Sequence, residues 1–89
     1  MIYSQQFERF ANMEIKEKIG TRIRDLRQEK AISQKDLAYD ADLDRSYIAS
    51  VENGQRKISI VNIEKIANAL KVSLKEFFDD VSFSEINVD

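Results

Sequence analysis

The 89-residue chain has no cysteine, histidine, proline or tryptophan, and its only glycines are Gly20 and Gly54. Without cysteine there is no disulfide framework and no thiolate chemistry. Without histidine the commonest general base and the commonest transition-metal ligand are both missing. The lack of proline and the scarcity of glycine favour helices over a turn-rich β fold. No apolar run approaches the ~20 residues of a membrane span, and the opening MIYSQQFERF has neither the basic start nor the apolar stretch of a signal peptide. A cytoplasmic protein without a membrane partner is expected. No Gly-rich phosphate loop, metal-ligand cluster or nucleophile beside a base can be found, so no catalytic residue, metal or cofactor is assigned and an enzyme is not expected. A chain of this length makes one compact core and has no room for a separate ligand-sensing domain, so no small-molecule effector is expected.

The formal net charge is −2, and its distribution is uneven. Segments 16–57 and 58–75 each carry +2, whereas 1–15 and 76–89 carry −1 and −5. The middle of the chain is therefore mildly basic, which permits nucleic-acid binding without demanding it.

What is present is helical periodicity. Ile15, Ile19, Ile23 and Leu26 recur every three or four residues with the basic residues mostly elsewhere around the turn, predicting a helix over about 13–30. Ser33, followed by Asp36, starts a short second helix over about 33–40. Asp44 is placed as the cap of a third over 45–53, which ends at Gly54 in a left-handed conformation. Ser59 begins a fourth, with Ile60, Ile63, Ile66, Ala67 and Leu70 on one face, and the Ser73/Glu76 pair begins a fifth containing Leu74, Phe77 and Phe78. The expected fold is all-α: a compact five-helix domain over 13–79, preceded by an extension over 1–12 and followed by an acidic tail over 80–89.

At about 100° per residue, Arg45, Ser46, Ala49, Ser50 and Asn53 share one arc of the third helix, while Ile48 and Val51 lie opposite. Small side chains let such a face enter a major groove, and Arg45 at its amino end can fork onto guanine O6 and N7. Ser33 and Gln34 open the second helix, where free amides and the helix dipole favour phosphate. Asn53, Gln55, Arg56 and Lys57 form a polar loop suited to gripping the flanking backbone. Each of these features has a plain alternative, namely a solvated helix face, a simple cap or a charged loop; it is their succession that points to DNA.

The run ISQKDLAYDADLDRSYIASVENGQRKISIVNIEKIANALKVSLKEFF carries Ser-Gln, Asp-Leu-Ala, Leu-x-x-x-Tyr-Ile and Glu-Asn-Gly in order. It resembles the Cro/CI-type (XRE) helix-turn-helix regulators, whose fold is lambda-repressor-like. The Leu43–Ile48 stretch is most similar to the controller proteins of restriction–modification systems. The resemblance implies that Gln34 meets a backbone phosphate, that Arg45, Ser46 and Ser50 face base edges, and that Tyr47 and Asn53 lie against the sugar-phosphate backbone or minor-groove edge. It also implies an ion pair between Arg27 and Glu52. The chain departs from the family pattern at Ala31 and Asp42, where glycine is usual. If Ala31 is left-handed, its Cβ is strained there.

One reading helix contacts only a few base pairs, so a homodimer on two half-sites of double-stranded DNA is expected, forming a transcription regulator of a (pseudo)palindromic operator. Apolar residues beyond the needs of the core, Val61, Leu74, Phe77 and Phe78, are assigned to the dimer interface. The competing reading is a protein-binding antitoxin that neutralises a toxin through the acidic tail or the first dozen residues. Because the resemblance begins just after it, Met13 is an alternative natural start.

Overall fold

A computed structural model describes residues 13–84 and residue 86. The chain forms α1 (Ile15–Glu29), α2 (Gln34–Ala41), α3 (Arg45–Glu52), α4 (Ile60–Ala69), α5 (Leu74–Phe77) and a 3-10 turn, Val81–Phe83. The extension over 1–12 lies outside the described residues. Ser33, Ser59 and Ser73 each accept a hydrogen bond from the backbone amide three residues on, at 3.0, 3.1 and 3.0 Å, satisfying one orphan donor at the start of α2, α4 and α5. Asp44, expected to cap α3, has extended backbone but makes no side-chain cap bond. At the start of α1 the Glu14 amide donates to the Glu17 carboxylate at 3.2 Å, a contact unforeseen from the sequence.

Four helix ends share one solution. A left-handed residue closes α1, α2, α3 and α4 at Ala31 (φ 56°), Asp42 (57°), Gly54 (71°) and Lys71 (62°). The next amide in each case reaches back five residues: Ile32 to the Arg27 carbonyl, Leu43 to Ala38, Gln55 to Ser50 and Val72 to Ala67, at 2.9–3.0 Å. This closure satisfies free carbonyls, and after the three non-glycine residues the next side chain turns inward, whereas Gln55 after Gly54 is exposed. Ile32 and Leu43 pack on the core and Val72 is buried in it. That apolar anchor sets the turn even where the left-handed residue is not glycine. The strain anticipated at Ala31 is therefore present, and Lys71 adds a third non-glycine case.

Ile23, Leu37, Ile48, Val51, Ile66, Leu70 and Phe77 are the largest fully buried side chains, contributed by α1 to α5. Each such side chain contributes about 1.5–3 kcal/mol of hydrophobic stabilisation on burial. Gly20 lies where α1 meets α3: a Cβ there would come within 2.9 Å of the Glu52 carbonyl oxygen and closer still to that of Val51. A helix-interior glycine normally costs about 1 kcal/mol, and the close approach of the two backbones is what it permits here.

The acidic tail does not begin at residue 80. The chain reverses after α5, Ser82 is buried, and Phe83 returns to within 5.1 Å of the Phe78 ring, itself 5.0 Å edge-on from Phe77. The domain thus extends through the Val81–Phe83 turn; periodicity could not foresee this, because three residues of 3-10 helix carry no repeat.

Candidate nucleic-acid interface

The arrangement begins with Glu52, the last residue of α3, whose carboxylate is fully enclosed. Arg27 on α1 donates to it twice, Nε at 2.8 Å and Nη2 at 3.0 Å, and sends Nη1 to the Ile32 carbonyl at 2.9 Å. Gln34, the first residue of α2, donates from Nε2 to Glu52 Oε1 at 3.1 Å. One carboxylate therefore joins α1, α2 and α3, which fixes the angle between the two helices of the helix-turn-helix. Hydrogen bonding to Glu52 raises the Arg27 pKa above its already high ordinary value, outweighing the opposing effect of burial.

The pairing of Arg27 with Glu52 was implied by the family resemblance; Arg24 was not singled out. Its Nη2 donates to the Glu52 carbonyl at 3.2 Å and to Asn53 Oδ1 at 3.0 Å, and its Nε lies 3.6 Å from Glu52 Oε1. The i,i+3 spacing places Arg24 and Arg27 on one face of α1, but nothing local marked their shared acceptor. Asn53, an exposed residue, is thereby held by its side-chain carbonyl oxygen.

On α3, Arg45 and Ser46 are exposed, as the helical wheel required of groove-facing residues. Ser50 is half-buried, and its hydroxyl donates to the Tyr47 carbonyl at 3.0 Å. Serine hydroxyls in helices often bond to the preceding turn; here the donated proton leaves the Ser50 oxygen lone pairs as acceptors. Tyr47 is half-buried, with its hydroxyl accepting from Asn62 Nδ2 of α4 at 3.0 Å and the Arg56 guanidinium 5.2 Å from its ring centre. Such a stack is worth about 0.5–1 kcal/mol at an exposed site, enough to bias the loop but not to lock it. Nothing local marked Asn62, which comes to Tyr47 only through packing of α4.

The remaining backbone candidates surround this face. Ser33 is exposed and caps α2; Gln55, Arg56 and Lys57 are exposed in the loop after α3, which leaves the helix through left-handed Gly54. Gly54 is demanded twice, since a Cβ would also come within 2.8 Å of Glu17 Cγ. Of the four residues assigned to self-association, Phe77 is a correction: it is fully buried in the monomer core and offers no surface. Its place in the α5 repeat made it indistinguishable from an interface residue, because both are apolar. Val61 and Phe78 are exposed and Leu74 is half-buried.

A helix-turn-helix family profile matches residues 23–77. The control protein C.MunI of Mycoplasma is 45% identical over 69 residues, covering 76% of this chain and 93% of that protein. The crystal structure of the restriction–modification controller protein C.AhdI from Aeromonas hydrophila superposes with a TM-score of 0.68 at 49% identity, covering 71% of this chain and 96% of that one. A chain from the crystal structure of the controller protein C.Esp1396I tetramer in complex with its natural 35-base-pair operator superposes with a TM-score of 0.72 at 37% identity, covering 76% of this chain and 90% of that one. The order of helices, the Glu52-centred joint and the exposed amino end of α3 have the same explanation: this chain belongs to the helix-turn-helix family of DNA-binding transcription regulators and is similar over most of its length to the restriction–modification controller proteins.

Proposed function

We infer that this protein regulates transcription by binding double-stranded DNA as a homodimer on a (pseudo)palindromic operator that includes its own promoter, in the manner of a restriction–modification controller. The observation that carries the reading is the exposed Arg45–Ser46 end of α3, held at a defined angle by the buried Glu52 joint. In this reading Arg45, Ser46 and Ser50 read base edges. Ser33, Gln34, Tyr47, Asn53, Gln55, Arg56 and Lys57 fix register on the sugar-phosphate backbone, with Gln34 using the N–H that Glu52 leaves free. Val61, Leu74 and Phe78 belong to the dimer surface, and the two half-sites lie about one helical turn apart. The relatives favour this over toxin neutralisation, since C.MunI is a control protein matched over 93% of its length and the controller C.Esp1396I was crystallised on its operator.

The test is binding to DNA from upstream of its own gene. Specific affinity that falls with salt, together with a loss of about 1–3 kcal/mol of site discrimination in Arg45→Ala, supports the assignment. Equal binding to random sequence overturns it.

A further inference from the structure

We propose that Arg22 positions the self-association surface: by clasping the end of α5 to α1, it holds Phe78 and the Val81–Phe83 turn as one apolar face that a second copy of this chain covers. This rests on the dimer reading given under the proposed function.

Periodicity put Arg22 off the apolar stripe of α1, among its solvated cations, yet its side chain is only 14% exposed. Nε donates to the Phe77 carbonyl at 2.7 Å, Nη2 donates to the Glu76 carbonyl at 2.8 Å, and Nη1 lies 3.5 Å from Asp80 Oδ1. The last carbonyls of a helix have no intrahelical donor, and a helix as short as α5 has few internal bonds to hold it together. The rigid guanidinium fork supplies the missing donors and places a cation at the negative end of the helix. Asp80 extends the same chain of bonds, accepting from the Ser82 amide at 3.1 Å and the Ser82 hydroxyl at 2.6 Å. From Arg22 the connection thus runs through Asp80 to buried Ser82, and the reversal it fixes brings Phe83 beneath Phe78.

Phe78 and Val81 remain outside, 37% and 53% exposed, and Leu74 sits one turn before Phe78. Ordered apolar groups on a rigid backing are what the centre of an interface needs. The rim indicates the occupant. Lys71 and Lys75 are exposed beside exposed Glu76 and Asp79, so the patch carries both signs. A two-fold interface sets a patch against itself, where a rim of one sign would repel and a mixed rim can pair.

Sedimentation of the full chain and DNA binding test the proposal together. Phe78→Asp is expected to be monomeric at micromolar concentration. Arg22→Met, which keeps the apolar stem, is expected to weaken dimerisation at least tenfold while retaining helical circular dichroism and binding to an isolated half-site. A general loss of structure would lower half-site binding as well, so that measurement separates positioning from mere stability. If Phe78→Asp is monomeric but Arg22→Met dimerises like the parent, the clasp is overturned and the dimer stands. If Phe78→Asp dimerises like the parent, the surface itself is wrong. Should Arg22→Met fail to fold, Arg22→Lys keeps the cation but not the fork onto the two carbonyls; an unchanged dimer dissociation constant in that variant overturns the proposal, and a several-fold increase supports it.

Discussion

Replacing Glu52 and Arg27 singly and together tests whether one buried carboxylate joins the reading helix to the scaffold. The Glu52 carboxylate is fully enclosed and accepts from Arg27 at 2.8 and 3.0 Å and from Gln34 at 3.1 Å. Glu52→Leu strands the Arg27 guanidinium, which is only 13% exposed, whereas Arg27→Met strands a carboxylate with no exposure. Removing one partner of such a pair costs about 3–5 kcal/mol, because the other charge remains in a site that water cannot fully reach. If the two losses were independent, the double variant would lose about 6–10 kcal/mol, close to the whole stability of a small domain. It is expected to lose about 4–5 kcal/mol instead, since the shared pair is lost once and the separate contacts, Arg27 to the Ile32 carbonyl and Gln34 and Arg24 to the Glu52 carboxylate, are lost in addition. The coupling should therefore be about 2–5 kcal/mol.

Urea unfolding of the parent, both single variants and the double variant measures it, with thermal melting as a second probe. Each kcal/mol shifts the midpoint by about 4–8 °C in a domain of this size, so either single variant should melt at least ~12 °C lower. Additivity to within about 0.5 kcal/mol would refute the reasoning, because it would mean that Arg27 and Glu52 do not share an interaction in solution.

Two backbone substitutions give results of opposite sign. Ala31→Gly should stabilise the domain by about 1 kcal/mol, since φ is 56° and glycine removes the Cβ clash there; a melting temperature that is unchanged or lower argues against it. Gly20→Ala should destabilise by about 1–3 kcal/mol, although alanine is the better helix former, because the new Cβ meets the Val51 and Glu52 carbonyl oxygens. A rise in the melting midpoint of Gly20→Ala would show that α1 and α3 do not approach so closely.

The helices were legible because each announces itself locally: a serine before an apolar repeat for α2, α4 and α5, and Gly54 after α3. The left-handed turns at Ala31 and Asp42 were legible only against the family pattern, which has glycine there. Lys71 shows why local reading falls short: its conformation is set by Val72 turning into the core, a tertiary cause. The candidate site divides the same way. Arg45 and Ser46 lie on the exposed arc that the wheel assigned them, because a short straight helix leaves little else to decide. Asn62 on Tyr47, Arg24 on Asn53 and Arg22 on the end of α5 join residues 15, 29 and 55 positions apart, and no periodicity reaches that far. Phe77 went to the wrong surface for a related reason. An apolar repeat says that a face is covered, but not whether the cover is the same chain or another.

The internal use of arginine also limits how strongly salt should weaken DNA binding. Arg22, Arg24 and Arg27 are all committed to contacts within the domain, so the basic character of α1 is largely unavailable to phosphate. Around the reading helix the exposed cations are Lys35, Arg45, Arg56 and Lys57. If Arg45 meets a base as proposed, two or three cations per protomer can neutralise phosphates, or about 4–6 in a dimer, for a slope of log affinity on log salt of about −4 to −5. Over the range from 50 to 200 mM salt, affinity should then fall by about 10²–10³-fold. Lys57→Ala should reduce the slope by about 2 in the dimer while leaving the order of preference among operator variants unchanged. Fluorescence anisotropy across that salt range measures both quantities. A slope steeper than about −8 would mean that Arg24 and Arg27 leave Glu52 to meet phosphates, and the rigid joint would no longer explain how α3 is aimed.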